Sequence, residues 1–281
     1  MANDPTLAQM KTGMFIGQAF SKNVLDHTMS NLVIASAVNT DYRSDLRKGY
    51  IVNIPVMSEV STGEIAAGTE LSAQNAIGTP VSITVDQWYG VRVEESEMEN
   101  VQDHVGYLEK AAQACGYAVA KKVDTALSAL FSALQSNARY GADGQDLTDD
   151  IIIAVTEVLD EGDVPPDNRS LITDPSSKAD LLKIDKFVRN DYVRGDAIAT
   201  GQFGSIYGMK VLITNNLTAA TTGNYGVIMH RDALGCIIQK DIYSQRVEMP
   251  WEHQIIYQVK VLYGVGELRD AFGYSFYTRS S

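Results

Sequence analysis

The sequence predicts an α+β protein, on three observations. Residues 49–91 contain no Lys and no Arg, and they read as two strands flanking a small, Gly/Thr/Ala-rich tip. The next segment, residues 98–135, reads as one uninterrupted amphipathic helix, in a stretch with no proline between Pro80 and Pro165. Such a helix would run on the order of 50 Å, longer than an ordinary globular helix. The last third is β-rich, with an α/β unit before it. A long hairpin that cannot bury itself, beside a long rigid helix, points to a part that reaches neighbouring molecules.

Residues 1–48 are mostly polar, with an amphipathic stretch over residues 15–38. They read as an arm with one or two short helices, ending at the basic cluster Arg43, Arg47 and Lys48. Gly49 opens a strand over residues 50–55 in which Val52 and Ile54 share a face. Pro55 pushes it toward an edge, because proline cannot donate to a ladder. Residues 58–79 are turn-rich; residues 81–85 bring the chain back, and residues 88–93 are expected to continue that strand. The acidic cluster Glu94, Glu95, Glu97, Glu99 and Asp103 falls at the start of the long helix. There the helix dipole favours negative charge by ~0.3–1 kcal/mol per group. No histidine is placed to pair with these carboxylates, so capping accounts for them better than a metal or acid–base site.

Within the helix, Val101, Val105, Leu108, Ala112, Cys115, Val119, Val123, Ala126, Leu130 and Leu134 recur at three- and four-residue steps. Charges at the flanking positions of a coiled coil are absent, so the stripe is expected to lie on a sheet. Gly106 and Gly116 each cost about 1 kcal/mol of helix propensity against Ala. With Ala111, Ala114 and Ala118 around them, they suggest that another backbone packs closely there.

Residues 143–167 hold nine acidic residues and no basic one, and are expected to face solvent. Thr148-Asp149-Asp150 caps a helix whose apolar face is Ile151, Ile152, Val155, Val158 and Leu159; Gly162 and Pro165-Pro166 stop it. A short strand follows at residues 171–173, and Asp174-Pro175 opens the next helix. A loop over residues 190–205 leads to a strand at 210–214, making residues 148–217 an α/β unit. Short strands are expected at 227–229 and 237–238. A long one is expected at 254–267, with Val259, Val261, Tyr263 and Val265 on one face.

The 281 residues carry 35 acidic and 23 basic side chains, a formal net charge of −12 that disfavours an extended nucleic-acid-binding face. There is no basic, apolar leader and no run long enough for a membrane span. Cys115 and Cys236 read as reduced, buried and inert. His27, His104, His230 and His253 match no metal-ligand spacing. The glycine-rich residues 201–208 lack the Gly-Lys-Ser/Thr of a phosphate loop and precede a strand, so they read as turns. No cofactor, metal or catalytic residue is expected.

Four stretches together resemble the tailed-bacteriophage major capsid protein family with the Hong Kong 97-type fold. Phe15-Ile16, Leu32-Val33-Ile34-Ala35 and Asn39-Thr40-Asp41-Tyr42 are similar to its N-terminal arm. Gly49-Tyr50-Ile51-Val52-Asn53-Ile54 with Ile83-Thr84-Val85-Asp86-Gln87-Trp88-Tyr89 resembles the two sides of its E-loop. The helix after Glu99 resembles its spine helix. Residues 207–216, from Tyr207-Gly208-Met209, with Met229-His230-Arg231-Asp232-Ala233-Leu234, resemble its axial-domain strand and return segment.

The resemblance implies an arm at 1–48, an E-loop at 49–93, a peripheral domain with the spine helix at 94–147, an axial domain at 148–224 and return strands at 225–281. It implies a shell protein forming hexamers and pentamers around double-stranded DNA, assembled in the host cytoplasm with a scaffolding protein and a portal, and no membrane. The expected inter-subunit contacts are Ser61, Thr62, Gly63, Glu64, Thr69 and Asn75 at the hairpin tip, with Trp88. Adhesion to the enclosed DNA is expected to be weak and limited to basic points such as Arg43, Arg47 and Lys48. Some family members weld neighbours through an E-loop lysine; residues 49–91 have none, so non-covalent contacts are expected. No fused, later-removed scaffold segment is expected ahead of the arm, so a separate scaffolding protein is. The alternatives are an encapsulin-type nanocompartment shell and, from another class, a soluble α/β enzyme.

Overall fold

A computed structural model describes residues 33–44, 49–58, 60–62, 73–74, 76–102, 107–136, 139–184 and 205–279. Ten strands among these residues form three sheets. Strands β1 (Ile51–Ile54) and β2 (Val81–Thr84) make an antiparallel hairpin. Strand β3 (Gln87–Ser96) joins a three-stranded sheet in the order β3-β9-β8, where β8 is Leu234–Met249 and β9 is Gln254–Glu267. The third sheet has the order β10-β7-β4-β6-β5, with β4 Arg169–Thr173, β5 Ser205–Ile206, β6 Met209–Ile213, β7 Gly223–His230 and β10 Gly273–Arg279. Its one parallel pair is β4 with β6. Residues 88–93 therefore do not continue the hairpin; they pair with β9 along their whole length. Alternation carries no information about which partner a strand finds, and this is why the sequence pattern misassigned them.

Helix α1 (Glu97–Gln102) is capped by the reciprocal device that Ser96 and Glu99 encode. The Glu99 N–H donates to Ser96 Oγ at 3.2 Å, and Ser96 N–H donates back to Glu99 Oε2 at 3.0 Å. The Ser96 backbone and hydroxyl hydrogen bonds hold the Glu99 carboxyl below its ordinary pKa. Glu94 and Glu95 belong to β3 rather than to the helix, and Asp103 lies outside the described residues.

Helix α2 (Tyr107–Ala129), extended by a 3-10 turn at Leu130–Ser132, lies across the three-stranded sheet. Its buried line is Cys115, Val119, Val123, Leu127, Phe131 and Leu134. Steps of four drift about 40° each around a 3.6-residue helix, so the line slants. The expected Ala126 and Leu130 fall on its flank, partly buried, and Val101 is exposed. Val105 and Gly106 lie outside the described residues, as do the side chains of Leu108 and Ala112. Among the described residues, no other backbone packs on the small-residue side. Ala114 and Ala118 are exposed, and a Cβ built on Gly116 would meet nothing within 4 Å. The turn that follows ends at Gln135, whose φ is +43° and whose backbone N–H donates to Asp270 Oδ1 at 2.6 Å.

The five-stranded sheet separates two cores because its residues alternate. Ile172, Leu212, Val227 and Met229 face the end of α2, whereas Leu171, Val211 and Ile228 face α3 (Asp149–Glu161) and α4 (Pro175–Leu181). Asp174 caps α4 by accepting from Ser177 N–H at 3.1 Å, as the Asp-Pro pair predicts. The β5–β6 turn places Tyr207 and Gly208 at φ +50° and +78°, so that part of the glycine-rich loop is a hairpin turn. The acidic stretch is largely exposed, but Asp143 is structural. Its carboxylate accepts from the N–H groups of Thr221, Thr222 and Gly223 at 2.8–3.0 Å. Burial pushes its pKa up, but those hydrogen bonds outweigh it and hold the group below its ordinary value.

Candidate inter-subunit surfaces

The hairpin is rooted in a notch that glycines cut into the β8–β9 ribbon. Val52, Ile54, Ile83 and Val85 form its buried face and pack on Ile237. The Ile83 side chain sits over Gly235 and Gly266, which are opposite each other in the β8–β9 register. At Gly264 the approach is backbone to backbone: a Cβ there would lie 2.3 Å from the Thr84 carbonyl oxygen. Tyr50 and Ile51, on the outer side of the root, are exposed.

Just beyond Pro55, Val56 and Met57 face a cavity of about 330 Å³ shared with Tyr42, Asp232 and Leu268, and the hairpin continues outward from there. Met57 and Ile77 form an isolated bridge, with Ser58 N–H donating to Ala76 O at 2.8 Å and Gly78 N–H to Val56 O at 2.9 Å. Farther out, the Gln74 amide holds the two sides together, accepting from Ser61 N–H at 3.0 Å and donating to Ser61 O at 2.8 Å. Met57 and Ile77 are about three-quarters exposed, and Val60 is also exposed. Of the expected contact residues, Ser61 and Thr62 are exposed on this extension. Gly63, Glu64, Thr69 and Asn75 lie outside the described residues, as do Arg47, Lys48 and the Arg43 side chain. Trp88 is 67 % exposed on β3, an edge strand of its sheet. An edge strand that no other described strand pairs, with exposed aromatics, is suited to adding a strand or side chains from a neighbour.

Sequence reasoning missed a second projecting element. Strand β8 is far longer than the expected 237–238, and with β9 it ends in a turn at residues 250–253 that carries Trp251 at 96 % exposure. The far half of β8 is exposed, which hid it from a search for buried apolar runs. The available signal was a Pro-Trp pair between two strand-like stretches. His253 ties the turn to α1, accepting on its carbonyl from Glu97 N–H at 2.8 Å. Met98 and Val101 are exposed on α1. Between that helix and the turn lies a cavity of about 400 Å³, lined by Glu97, Val101, Pro250 and His253 among others.

The described part of the arm is anchored to α2 and β8. Asp124, on α2 and 1 % exposed, accepts the Ala35 N–H at 3.1 Å at the start of a 3-10 turn, Ile34–Ser36. Burial pushes the Asp124 pKa up; hydrogen bonds from the N–H groups of Ala35, Ile34 and Val33 offset only part of this. Asn39 then bridges β8, donating to Leu234 O at 3.0 Å and accepting from Cys236 N–H at 2.9 Å. Cys115 and Cys236 are both buried and unpaired. Burial, with the Asp124 charge second, pushes the Cys236 thiol up to about 11, in keeping with an inert thiol. His230 is buried edge-on to Phe272, and His253 sits on the exposed turn. Among the described residues no cluster of His, Cys, Asp or Glu could hold a metal ion.

Residues 78–274 match the profile of the phage capsid protein family. The chain belongs to that family. No curated protein matches it. Among solved structures, one from Mycobacterium phage Che8 is 21 % identical with a TM-score of 0.79, covering 93 % of this chain and 97 % of that one. The capsid of Cyanophage P-SCSP1u is 18 % identical with a TM-score of 0.74, covering 95 % and 94 %. The capsid of a native GTA particle is 12 % identical with a TM-score of 0.68, covering 99 % and 100 %. The fold is the Hong Kong 97-type fold, and the chain is a major capsid protein that forms the head shell of a phage virion. Its role is structural, carried by assembly into a multimeric shell.

Proposed function

We propose that this capsid protein forms hexamers and pentamers of an icosahedral shell through non-covalent contacts alone. The observation that carries this reading is the outer hairpin, where Met57, Val60 and Ile77 stand exposed, outside the buried clusters of the described residues. An apolar extension of this kind is stabilised once a neighbouring subunit covers it. Ser61, Thr62 and Trp88 belong to the same contact system, together with Gly63, Glu64, Thr69 and Asn75 of the tip. Trp251 supplies a second anchor, since an exposed tryptophan on a rigid turn is the residue type that dominates interface energetics. The enclosed double-stranded DNA is touched weakly, because acidic residues outnumber basic ones, 35 to 23, with adhesion confined to points such as Arg43, Arg47 and Lys48. A scaffolding protein and a portal take part in assembly, in the host cytoplasm.

The test is negative-stain microscopy of the purified chain after size-exclusion chromatography, with and without a co-expressed scaffold. Shells or capsomer rings are expected; a discrete small oligomer under every condition would overturn the reading. Particles boiled in denaturant should run as a single band near 30.7 kDa. A covalent ladder would show that neighbours are welded after all. Trp251→Ser should leave the melting temperature of the monomer unchanged, because the side chain is almost wholly exposed. It should weaken shell assembly by about 2 kcal/mol per contact, a hot-spot loss read as a raised critical concentration.

A further inference from the structure

The described arm, the start of β4, the β5–β6 turn and the 3-10 turn after β7 surround a cavity of about 370 Å³. Arg169, Lys210 and Arg231 line it, with Ser36, Ser170 and Asn168, and none of the lining residues is acidic. In a chain of net charge −12 the lining carries cations and no carboxylate, although Asp160 and Asp41 pair with two of those cations. The register of the sheet creates that lining. Parallel pairing sets Lys210 beside Ser170, and β4–β7 pairing sets Arg169 beside His230, so that Arg231 follows at the same end.

The three cations differ in how they are held. The Arg169 guanidinium is 4 % exposed and fixed by the carbonyls of Val164 and Pro165 and by Asp160, 2.7 Å away. Its guanidinium is committed there, on the α3 side of β4, so Arg169 contributes to the wall of the cavity and not to its donors. Arg231 pairs with Asp41 at 2.6 Å, but both side chains are well exposed, and such pairs contribute only about 0–1 kcal/mol. Lys210 is exposed and makes no ion pair among the described residues. Beside them the buried Ser170 hydroxyl has no hydrogen-bond partner among the described residues, a donor left unused next to concentrated positive charge.

We infer that this cavity is a phosphate-binding site, taking a phosphate monoester or diester group between Lys210 and Arg231, beside the Ser170 hydroxyl. The Arg231 guanidinium fork matches two phosphate oxygens, the Lys210 ammonium supplies a point charge, and the Ser170 hydroxyl adds a donor. Ser36 and Ala37 of the arm form one wall of the cavity. The phosphate comes either from the backbone of enclosed nucleic acid or from a free anion. The site does not depend on how the shell is assembled.

The experiment is calorimetric titration of the full chain with inorganic phosphate, pyrophosphate and a short single-stranded oligonucleotide, at fixed ionic strength. A parallel series uses Lys210→Glu. Saturable binding near one phosphate group per chain is expected, weakened at least tenfold in Lys210→Glu, whose own melting temperature should match the parent because Lys210 is exposed. Binding of phosphate or pyrophosphate without the oligonucleotide assigns a free anion; saturable oligonucleotide binding lost in the variant assigns the nucleic-acid backbone. No heat at millimolar phosphate or pyrophosphate and none with the oligonucleotide, or equal affinities in Lys210→Glu, would overturn the site.

Discussion

Gly264→Ala is expected to abolish shell formation while the chain still folds. The new Cβ would sit 2.3 Å from the Thr84 carbonyl oxygen, and that atom is backbone, so no side-chain rotation can relieve the contact. Either β2 lifts off β9 or the β8–β9 ribbon bends. Forcing one extra carbon into such a contact costs about 1–3 kcal/mol. The cost falls on the docking of the hairpin root and not on the two main cores, since Val52, Ile54, Ile83 and Val85 form a separate cluster around Ile237. A hairpin displaced at its root is displaced further at its outer end, where Met57 and Ile77 must meet a neighbour. Circular dichroism should report a folded protein, and microscopy should report no shells. Gly116→Ala is the matched control: with nothing within 4 Å, it should gain about 0.5–1 kcal/mol of stability and assemble normally. Normal shells from Gly264→Ala would show that the hairpin is not positioned by this contact.

The same glycine shows where the sequence was legible and where it was not. The two hairpin strands could be read from Val52/Ile54 and Ile83/Val85, because a half-buried strand shows its period directly. The bounds of β9 were legible for the same reason. The notch could not be read, because Gly235, Gly264 and Gly266 act through what lies across from them, and pairing partners are not written in alternation. Residues 88–96 make the point from the other side: their pattern is that of a strand, but only the register with β9 says which sheet they enter. In α2 the pattern identified the helix and its face down to Val123, then drifted onto Ala126 and Leu130. Phe131 and Leu127 were buried instead, because the helix tracks a sheet whose course the helix sequence does not contain. The projecting surfaces were hardest of all. Exposed apolar residues such as Trp251 and Met57 look in sequence like any other apolar residue, and only a fold that leaves them outside its buried clusters gives them meaning.

Asp124 carries the second large effect, and it is pH-dependent. A carboxylate that is 1 % exposed loses its hydration, and only one of its oxygens has a described partner. Its pKa is raised by burial, so within the fold it holds a proton more tightly than in the unfolded chain, where an aspartate titrates near pH ~3.9. Between the unfolded and folded values the native state therefore binds more protons than the unfolded state, and stability falls as pH rises through that window. The contribution is fully present below the ordinary aspartate value and lost above the raised one. Carboxylates with depressed pKa, such as Asp143, act in the opposite sense, so the effect has to be isolated by difference. Urea midpoints for the parent and Asp124→Asn, taken from pH 4 to 7, should converge or cross as the pH falls, with the parent gaining relative to the variant. Parallel curves would mean that Asp124 does not titrate in that window. Asp124→Ala removes the acceptor altogether and leaves the Ala35 N–H without its partner in a part-buried site. That should cost about 1–3 kcal/mol. The cost should appear first as faster hydrogen exchange at Ala35, ahead of any change in the Phe131 and Leu134 core, because the carboxylate is what joins the arm to the spine of the subunit.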